Sequence, residues 1–108
     1  MRSVTVEHRP ELKMFLIRLE PGKHAFLSYT LERDRVCIKS TFVPPEYRGR
    51  GLAAKLMEAV ITWARSQRLL VVPICSYAVY YFKKHREAWD VLAPESLETV
   101  KSYEHERA

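Results

Sequence analysis

A short loop that alternates arginine with glycine is the feature of this chain best suited to chemistry. It reads Arg48-Gly49-Arg50-Gly51 and is followed at once by Leu52 and an apolar pattern of helical period. The whole chain has three glycines, so two in one loop mark a place with special backbone needs. Glycine lets the backbone approach a ligand closely, and a helix behind the loop directs its unpaired N–H groups and positive dipole end toward that ligand. Arg48 and Arg50 add charged donors, so the loop is suited to a phosphate or a pyrophosphate.

Two other phosphate-binding motifs are excluded by the residues around this loop. The segment lacks the Gly-Lys-Ser/Thr ending of a P-loop, and it lacks the six-residue glycine fingerprint of dinucleotide-binding folds. The spacing alone leaves a second interpretation open, in which Gly49 and Gly51 only make a tight strand-to-helix connection beside solvated arginines.

One cysteine stands where a thiol could react. Cys75 ends the apolar run LLVVPIC and directly precedes a predicted helix start, a location that favours the thiolate. A cysteine there could act as a nucleophile that forms a covalent intermediate or, while protonated, as an acid. The alternative is a buried, inert cysteine, which is our interpretation of Cys37 within a predicted strand. Neither a disulfide nor a metal site is predicted, because the two cysteines lack a paired spacing and a histidine at ligand distance in sequence.

The elements that must position these groups begin with four short strands. Runs rich in β-branched and aromatic residues predict strands at 3–8, 12–20, 24–32 and 35–43. A Pro21-Gly22 pair separates the second strand from the third, and a charged segment separates the third from the fourth. Successive antiparallel hairpins are the economical arrangement.

Beyond Pro44 the period changes from about two to about 3.6 residues. This pattern predicts an amphipathic helix over 50–67, a buried strand over 69–75 and a second helix over 77–85 with Ser76 as its N-cap. A strand, helix and strand in this order place the two strands parallel. Pro73 removes a ladder donor and is expected to let the last strand diverge from its neighbour. The fold class is therefore mixed α+β.

Size and charge limit the possibilities further. The chain has 108 residues with an apolar fraction of 47%, which predicts one domain over 1–92 and a charged, frayed or partly helical tail over 93–108. We expect a cytoplasmic protein, since the sequence shows neither a signal peptide nor a run long enough to span a membrane. The net charge of +5 favours an anionic partner of unspecified kind. His8, His24 and His105 show no convergent partners and are interpreted as surface residues.

The loop and its flanks resemble a known family. Arg48-Gly49-Arg50-Gly51-Leu52-Ala53 resembles the Arg/Gln-x-x-Gly-x-Gly/Ala motif of the GNAT N-acetyltransferases, and a strand ending Phe42-Val43-Pro44 precedes it as in that family. The run VVPICSYAVYYFKKH resembles the next strand and helix of a short, single-domain subgroup, the N-acetyltransferase domain-containing type. The resemblance covers roughly residues 36–90. It implies a GNAT-like fold, acetyl-CoA as cofactor and transfer of an acetyl group to an unidentified amine.

The resemblance also implies which residues hold the cofactor. In that family the loop amides bind the pyrophosphate of acetyl-CoA, a role that falls here on residues 48–53. The backbone of the preceding strand pairs with the pantetheine arm, so Thr41, Phe42 and Val43 are expected to line it. Lys84 is taken as a contact for the ribose phosphate of CoA, although the dipole of the second helix alone could explain a cation there.

Catalysis is assigned by the same resemblance to Cys75 and Tyr81. Many GNAT proteins carry a tyrosine in the helix after the last strand, where it protonates the CoA sulfur. The aligned position here is Phe82, and Tyr81 beside it is our choice. A tyrosine among apolar neighbours is also a common core residue.

This chain departs from the wider family in ways that keep a second function open. It lacks the pair of helices that larger members place between their first two strands, so its acceptor side is open or is completed by a partner, for example in a homodimer. Ser40 and Phe82 stand where catalytic groups would be expected. The alternative is therefore a CoA-binding or protein-interaction module without turnover. A nucleic-acid-binding domain is the weakest hypothesis, because the basic residues are dispersed and no recognition motif is present.

Overall fold

Antiparallel hairpins form the first half of the fold, as the alternating patterns predict. The computed structural model describes residues 4–104. Its first four strands are β1 (Glu7–Arg9), β2 (Met14–Glu20), β3 (Lys23–Glu32) and β4 (Arg35–Phe42). Each strand pairs antiparallel with the next.

The first strand is shorter than the sequence indicates. The prediction of a strand over 3–8 is wrong for most of that range, because only Glu7–Arg9 pairs with β2. Val4 and Val6 pack against the core without belonging to the strand, which explains why their apolar pattern was misleading. Ser3 lies outside the described residues.

The amphipathic pattern after the loop forms a long helix, α1 (Leu52–Gln67), which is followed by β5 (Leu70–Pro73). Its apolar stripe faces the core, where Leu56, Met57 and Val60 are fully buried. β5 lies parallel to β4 and completes a five-stranded sheet in the order β1-β2-β3-β4-β5. The predicted crossover and the mixed α+β fold class are confirmed.

The pairing of β4 with β5 ends early, at Ile38 opposite Pro73. The amides of Ile74 and Cys75 both donate to the carbonyl of Ile38, at 3.0 and 3.2 Å, and the chain then turns into the next helix. The last part of β4 therefore pairs with β3 on one side and has no strand of the described chain on the other. The separation of β5 from β4 agrees with the prediction made from Pro73.

A β-bulge in β4 resets the direction of its side chains. Ser28 pairs with Ser40 and Tyr29 pairs with Ile38, so Lys39 is an extra residue in β4. Without it, strict alternation would put the side chain of residue 41 on the opposite sheet face from Ile38. The bulge instead places Thr41 on the same face as Ile38, which is the face covered by α1.

The second helix, α2 (Ser76–Lys84), begins one residue earlier than predicted. The prediction of Ser76 as N-cap is wrong, because Cys75 occupies that position with extended backbone angles. Its carbonyl accepts the amide of Val79 at 3.2 Å, so the first helical hydrogen bond starts from Cys75. The interior of α2 contributes Phe82 to the core, where it is fully buried.

Residues 93–104 are packed against the domain, and of the two expected states, frayed or partly helical, they show the partly helical one. They contain a 3₁₀ turn (Pro94–Ser96) and a short helix, α3 (Leu97–Ser102). The amide of Ala93 donates to the carbonyl of Val71 at 2.9 Å, and Val100 is fully buried. A few apolar residues at helical spacing therefore outweigh the polar composition of this segment. The four residues after Glu104 lie outside the described part of the chain.

Within residues 4–104, no helix is long and apolar enough to cross a membrane. In the same range, no three carboxylate, thiol or imidazole side chains converge into a group that could hold a metal ion.

Candidate functional site

The glycine loop has the backbone geometry of an open cradle. Gly49 and Gly51 have φ values of 82° and 78°, in the left-handed region that side chains disfavour. A Cβ built on either glycine would meet no heavy atom within 4 Å, so the space before the loop is empty of protein. A ligand can therefore approach the backbone at both positions.

The helix behind the loop presents uncapped N–H groups to that space. Gly51 is the N-cap residue of α1, and no side chain of the described chain caps the helix there. The amides of Leu52, Ala53 and Ala54 have no partner within the helix, since the first helical bond runs from the amide of Lys55 to Gly51. The first turn carries no acidic residue. Both the geometry and the helix dipole therefore favour an anion.

The two arginines of the loop help to define its shape. Arg48 donates from Nε to the carbonyl of Val43 at 2.9 Å, which ties the loop to the residue after β4. The guanidinium of Arg50 lies 5.1 Å from the ring centroid of Tyr47 in a cation–π contact. The bond made by Arg48 uses only Nε, so its two Nη groups remain available to an anionic ligand.

A second set of contacts ties the loop to the β2–β3 turn. Tyr47 donates its hydroxyl proton to Glu20 at 2.7 Å, and Lys23 forms an ion pair with Glu46. The hydrogen bond to Glu20 is the main cause that raises the pKa of Tyr47 above its usual value. The ion pair with Lys23 holds the pKa of the Glu46 carboxyl below its usual range. These contacts hold the loop in shape before any ligand arrives.

A small cavity of about 150 Å³ lies at the loop. It brings together six residues that the sequence assigned to cofactor binding: Val43, Arg48, Gly49, Gly51, Leu52 and Ala53. It is also lined by Tyr77, which sequence reasoning missed. Burial is the main cause that raises the pKa of Tyr77 to about 12, with smaller contributions from the neighbouring tyrosines, so its hydroxyl is neutral under ordinary conditions. Its position four residues after the end of the parallel strand β5, in the first turn of α2, was the signal that could have found it.

The end of β4, which extends beyond its pairing with β5, presents its side chains to two different sheet faces. Thr41 faces the α1 side, and its Oγ1 lies 3.6 Å from Sγ of Cys75. Phe42 faces the other side, where its ring lies 5.6 Å from that of Phe26 and is 41% exposed. Phe42 therefore offers only its backbone to the gap between β4 and β5, whereas Thr41 offers its side chain.

The other sequence-predicted site residues lie at the start of α2 or within it. Cys75 is half-buried at the start of α2. Tyr81 is 6% exposed, and its ring stacks on His85 with 4.0 Å between centroids. Burial, followed by the charges of nearby carboxylates, raises the pKa of Tyr81. Lys84 ends α2, where its Nζ lies 5.8 Å from the ring centroid of Tyr80. Neither Tyr81 nor Lys84 lines the loop cavity.

One histidine that the sequence left on the surface belongs to an aromatic cluster. His8 stacks on Phe15 with 4.0 Å between ring centroids, contacts Trp63 edge-on and lies 2.7 Å from the hydroxyl of Tyr29 through Nε2. The interpretation of His8 as a surface residue without partners is therefore wrong. These three partners come from β2, β3 and α1, so no local sequence pattern could reveal them.

The comparisons with known proteins agree with this geometry. The sequence model described as GCN5-related N-acetyl-transferase matches residues 14–92. The chain is 33% identical over 85 residues to the proteins named NATD1 of Gallus gallus and Mus musculus, covering 76% of this chain and 76% of each of theirs. The same identity and length are found with NATD1 of Homo sapiens, of which 74% is covered.

A solved structure supports the same assignment. The fold is similar to the solution NMR structure of a GCN5-like protein from Staphylococcus aureus, with a TM-score of 0.70 and 25% identity. The similarity covers 99% of this chain and 97% of that one. By its sequence and its fold, this chain belongs to the GCN5-related N-acetyltransferase family.

Proposed function

We propose that this protein is an acetyl-CoA-dependent N-acetyltransferase that transfers the acetyl group to an amine. The observation that carries the proposal is the open glycine cradle at the uncapped start of α1, beside a strand edge that no other strand within residues 4–104 occupies. A pyrophosphate joined to an extended, amide-bearing arm fits both features at once. Acetyl-CoA supplies an activated acetyl thioester at the end of such an arm.

The residues of the loop have distinct roles in this proposal. The amides of residues 49–53 bind the pyrophosphate, and those of Leu52 and Ala53 have no partner within the helix. Arg48 and Arg50 neutralise its charge. The backbone from Thr41 to Val43 pairs with the pantetheine arm, and Lys84 contacts the ribose phosphate.

The reacting groups lie beyond the loop, where β4 and β5 separate. Cys75 is the proposed thiol, either as the acceptor that carries the acetyl group before the amine takes it or as the acid that protonates the departing CoA thiolate. In the two-step route, the Cys75 thiolate forms a new bond to the acetyl carbon as the bond to CoA breaks. The amine then forms its bond to that carbon and the Cys75 thiolate leaves. Tyr81 is the proposed second acid–base group.

A second candidate function is a CoA-binding module without turnover. Two observations favour it: Phe82 is fully buried, and Tyr81 is 6% exposed within the core. A side chain this deeply buried is poorly placed to reach a thioester in the gap between β4 and β5. Under this alternative, Cys75→Ala and Tyr81→Phe leave the affinity for CoA unchanged. The wild type and both variants then show no acetyl transfer.

The acceptor amine, the cytoplasmic location and a homodimer that completes the acceptor side stay predictions. Analytical ultracentrifugation across a series of protein concentrations, with and without acetyl-CoA, would test the dimer directly.

Calorimetric titration with acetyl-CoA tests the proposal. The variant is Gly51→Glu, which puts a side chain and a negative charge into the cradle. The matched control is Arg33→Glu in the turn between β3 and β4, because Arg33 also has a positive φ, of 58°, and is exposed but does not line the loop cavity. We expect binding by the wild type and by the control, and loss of binding in Gly51→Glu with the fold intact. Absence of binding by the wild type contradicts the proposal.

A further inference from the structure

The contact between Thr41 and Cys75 spans the gap in which β4 and β5 diverge. Oγ1 of Thr41 lies 3.6 Å from Sγ of Cys75, within the range of a hydrogen bond to sulfur. Both side chains are half-buried, and the amide of Cys75 is fixed by the carbonyl of Ile38 at 3.2 Å. The backbone of Cys75 is thus anchored on one side of the gap and its sulfur is held from the other.

The bulge at Lys39 is the device that creates this contact. Because Lys39 is an extra residue, Thr41 pairs with Leu27 and faces the same side as the buried Ile38. A regular strand would turn the side chain of residue 41 to the opposite face, where it could not meet Cys75. The bulge at Lys39 therefore brings the hydroxyl of Thr41 to the sulfur of Cys75.

We infer that Thr41 is the positioning residue of the Cys75 sulfur, rather than a mere lining of the cofactor arm. The inference rests on the proposed function, in which Cys75 is the reacting thiol. While Cys75 is protonated, either atom can donate. Once it is ionised, the sulfur can only accept, so the hydroxyl of Thr41 must donate and thereby stabilises the thiolate and fixes its direction.

Nearby titrating groups do not take over this role. Tyr77 is the tyrosine whose pKa responds to Cys75, and burial raises that pKa to about 12, so it carries no charge at neutral pH. No shorter contact to the Cys75 sulfur occurs among the hydrogen bonds of the described residues. The hydroxyl of Thr41 is thus the hydrogen-bond partner that the described residues provide for this sulfur.

The test measures the alkylation rate of Cys75 by iodoacetamide in the intact protein, resolved by peptide mass spectrometry. Thr41→Val keeps the branched shape and removes the hydroxyl, whereas Thr41→Ser keeps the hydroxyl and removes the methyl group. Cys37, which is 8% exposed, serves as an internal monitor of folding, and Cys75→Ser gives the background. The readout requires neither CoA nor an acceptor, so its result is independent of whether the proposed transfer occurs.

We expect Thr41→Val to slow alkylation of Cys75 by about three- to tenfold and Thr41→Ser to stay within about twofold of the wild type, since a donor to an ionised acceptor is worth more than one between neutral groups. A Val variant that reacts as fast as the wild type overturns the inference. So does a Ser variant as slow as the Val variant, because the methyl group would then be responsible.

Discussion

The hydroxyl of Tyr47 donates to Glu20 across 2.7 Å and joins the phosphate-binding loop to the β2–β3 turn. Together with the ion pair between Lys23 and Glu46, this hydrogen bond holds the loop against the neighbouring β2–β3 hairpin. Because a loop that is already ordered loses less entropy on binding, these contacts contribute to affinity without touching the ligand.

Removing this hydroxyl should therefore weaken cofactor binding. We expect Tyr47→Phe to lower the affinity for acetyl-CoA by about threefold, since the ring and its contact with Arg50 remain while the tie to Glu20 is lost. Calorimetry measures the change. Glu20→Gln, which keeps an acceptor oxygen, should have a smaller effect. Equal affinity in wild type and Tyr47→Phe contradicts preorganisation by this contact.

Tyr77 forms a wall of the loop cavity, so its ring should matter for the ligand. We expect Tyr77→Ala to reduce the affinity for acetyl-CoA by about tenfold, because the loss of an aromatic wall exposes the ligand to water. Tyr77→Phe should stay within about twofold if packing dominates, since the hydroxyl is uncharged. A titration of all three proteins decides the matter. An alanine variant with wild-type affinity would remove Tyr77 from the site.

The partly buried imidazole of His8 makes stability depend on pH. Burial lowers the pKa of His8 below the ordinary value that it regains on unfolding. Below that ordinary value the unfolded state binds the proton more readily, so stability is greatest at neutral pH and falls as the pH drops through the window between the two pKa values. His8→Phe keeps an aromatic ring against Phe15 but cannot titrate.

Urea unfolding at neutral and mildly acidic pH checks this prediction. The wild type should lose stability on acidification, and His8→Phe should lose less. The same loss in both proteins would mean that other groups carry the pH dependence.

The segment after residue 92 should contribute to the stability of the whole fold. Val100 is fully buried in the core, so we expect Val100→Ala to lower the free energy of unfolding by about 2 kcal/mol. Thr99→Ala, one residue earlier and exposed, should change it by less than about 0.5 kcal/mol. Urea denaturation compares the two. Similar values for both variants would mean that the segment is dispensable.

Local patterns predicted those parts of the fold that depend on neighbours in sequence. The runs of β-branched and aromatic residues in β2 to β4 and the apolar stripe of α1 were sufficient, because each signal lies in residues that are close in sequence. The glycine pair was likewise visible, since the positive φ values at Gly49 and Gly51 demand that residue type.

What could not be predicted depends on pairing between distant residues. The bulge at Lys39 leaves no mark in composition, yet it decides which face Thr41 occupies and hence its contact with Cys75. The environment of His8 is built from other strands and from α1. Such relationships are set by strand register, which one sequence does not reveal.

Backbone NMR during titration with acetyl-CoA tests the central claim most directly. The account predicts that the largest amide shifts occur in two separate segments, residues 49–53 at the start of α1 and residues 41–43 at the end of β4, while β1 stays nearly unchanged. Shifts confined to another surface, or no shifts at any concentration of acetyl-CoA, would contradict it.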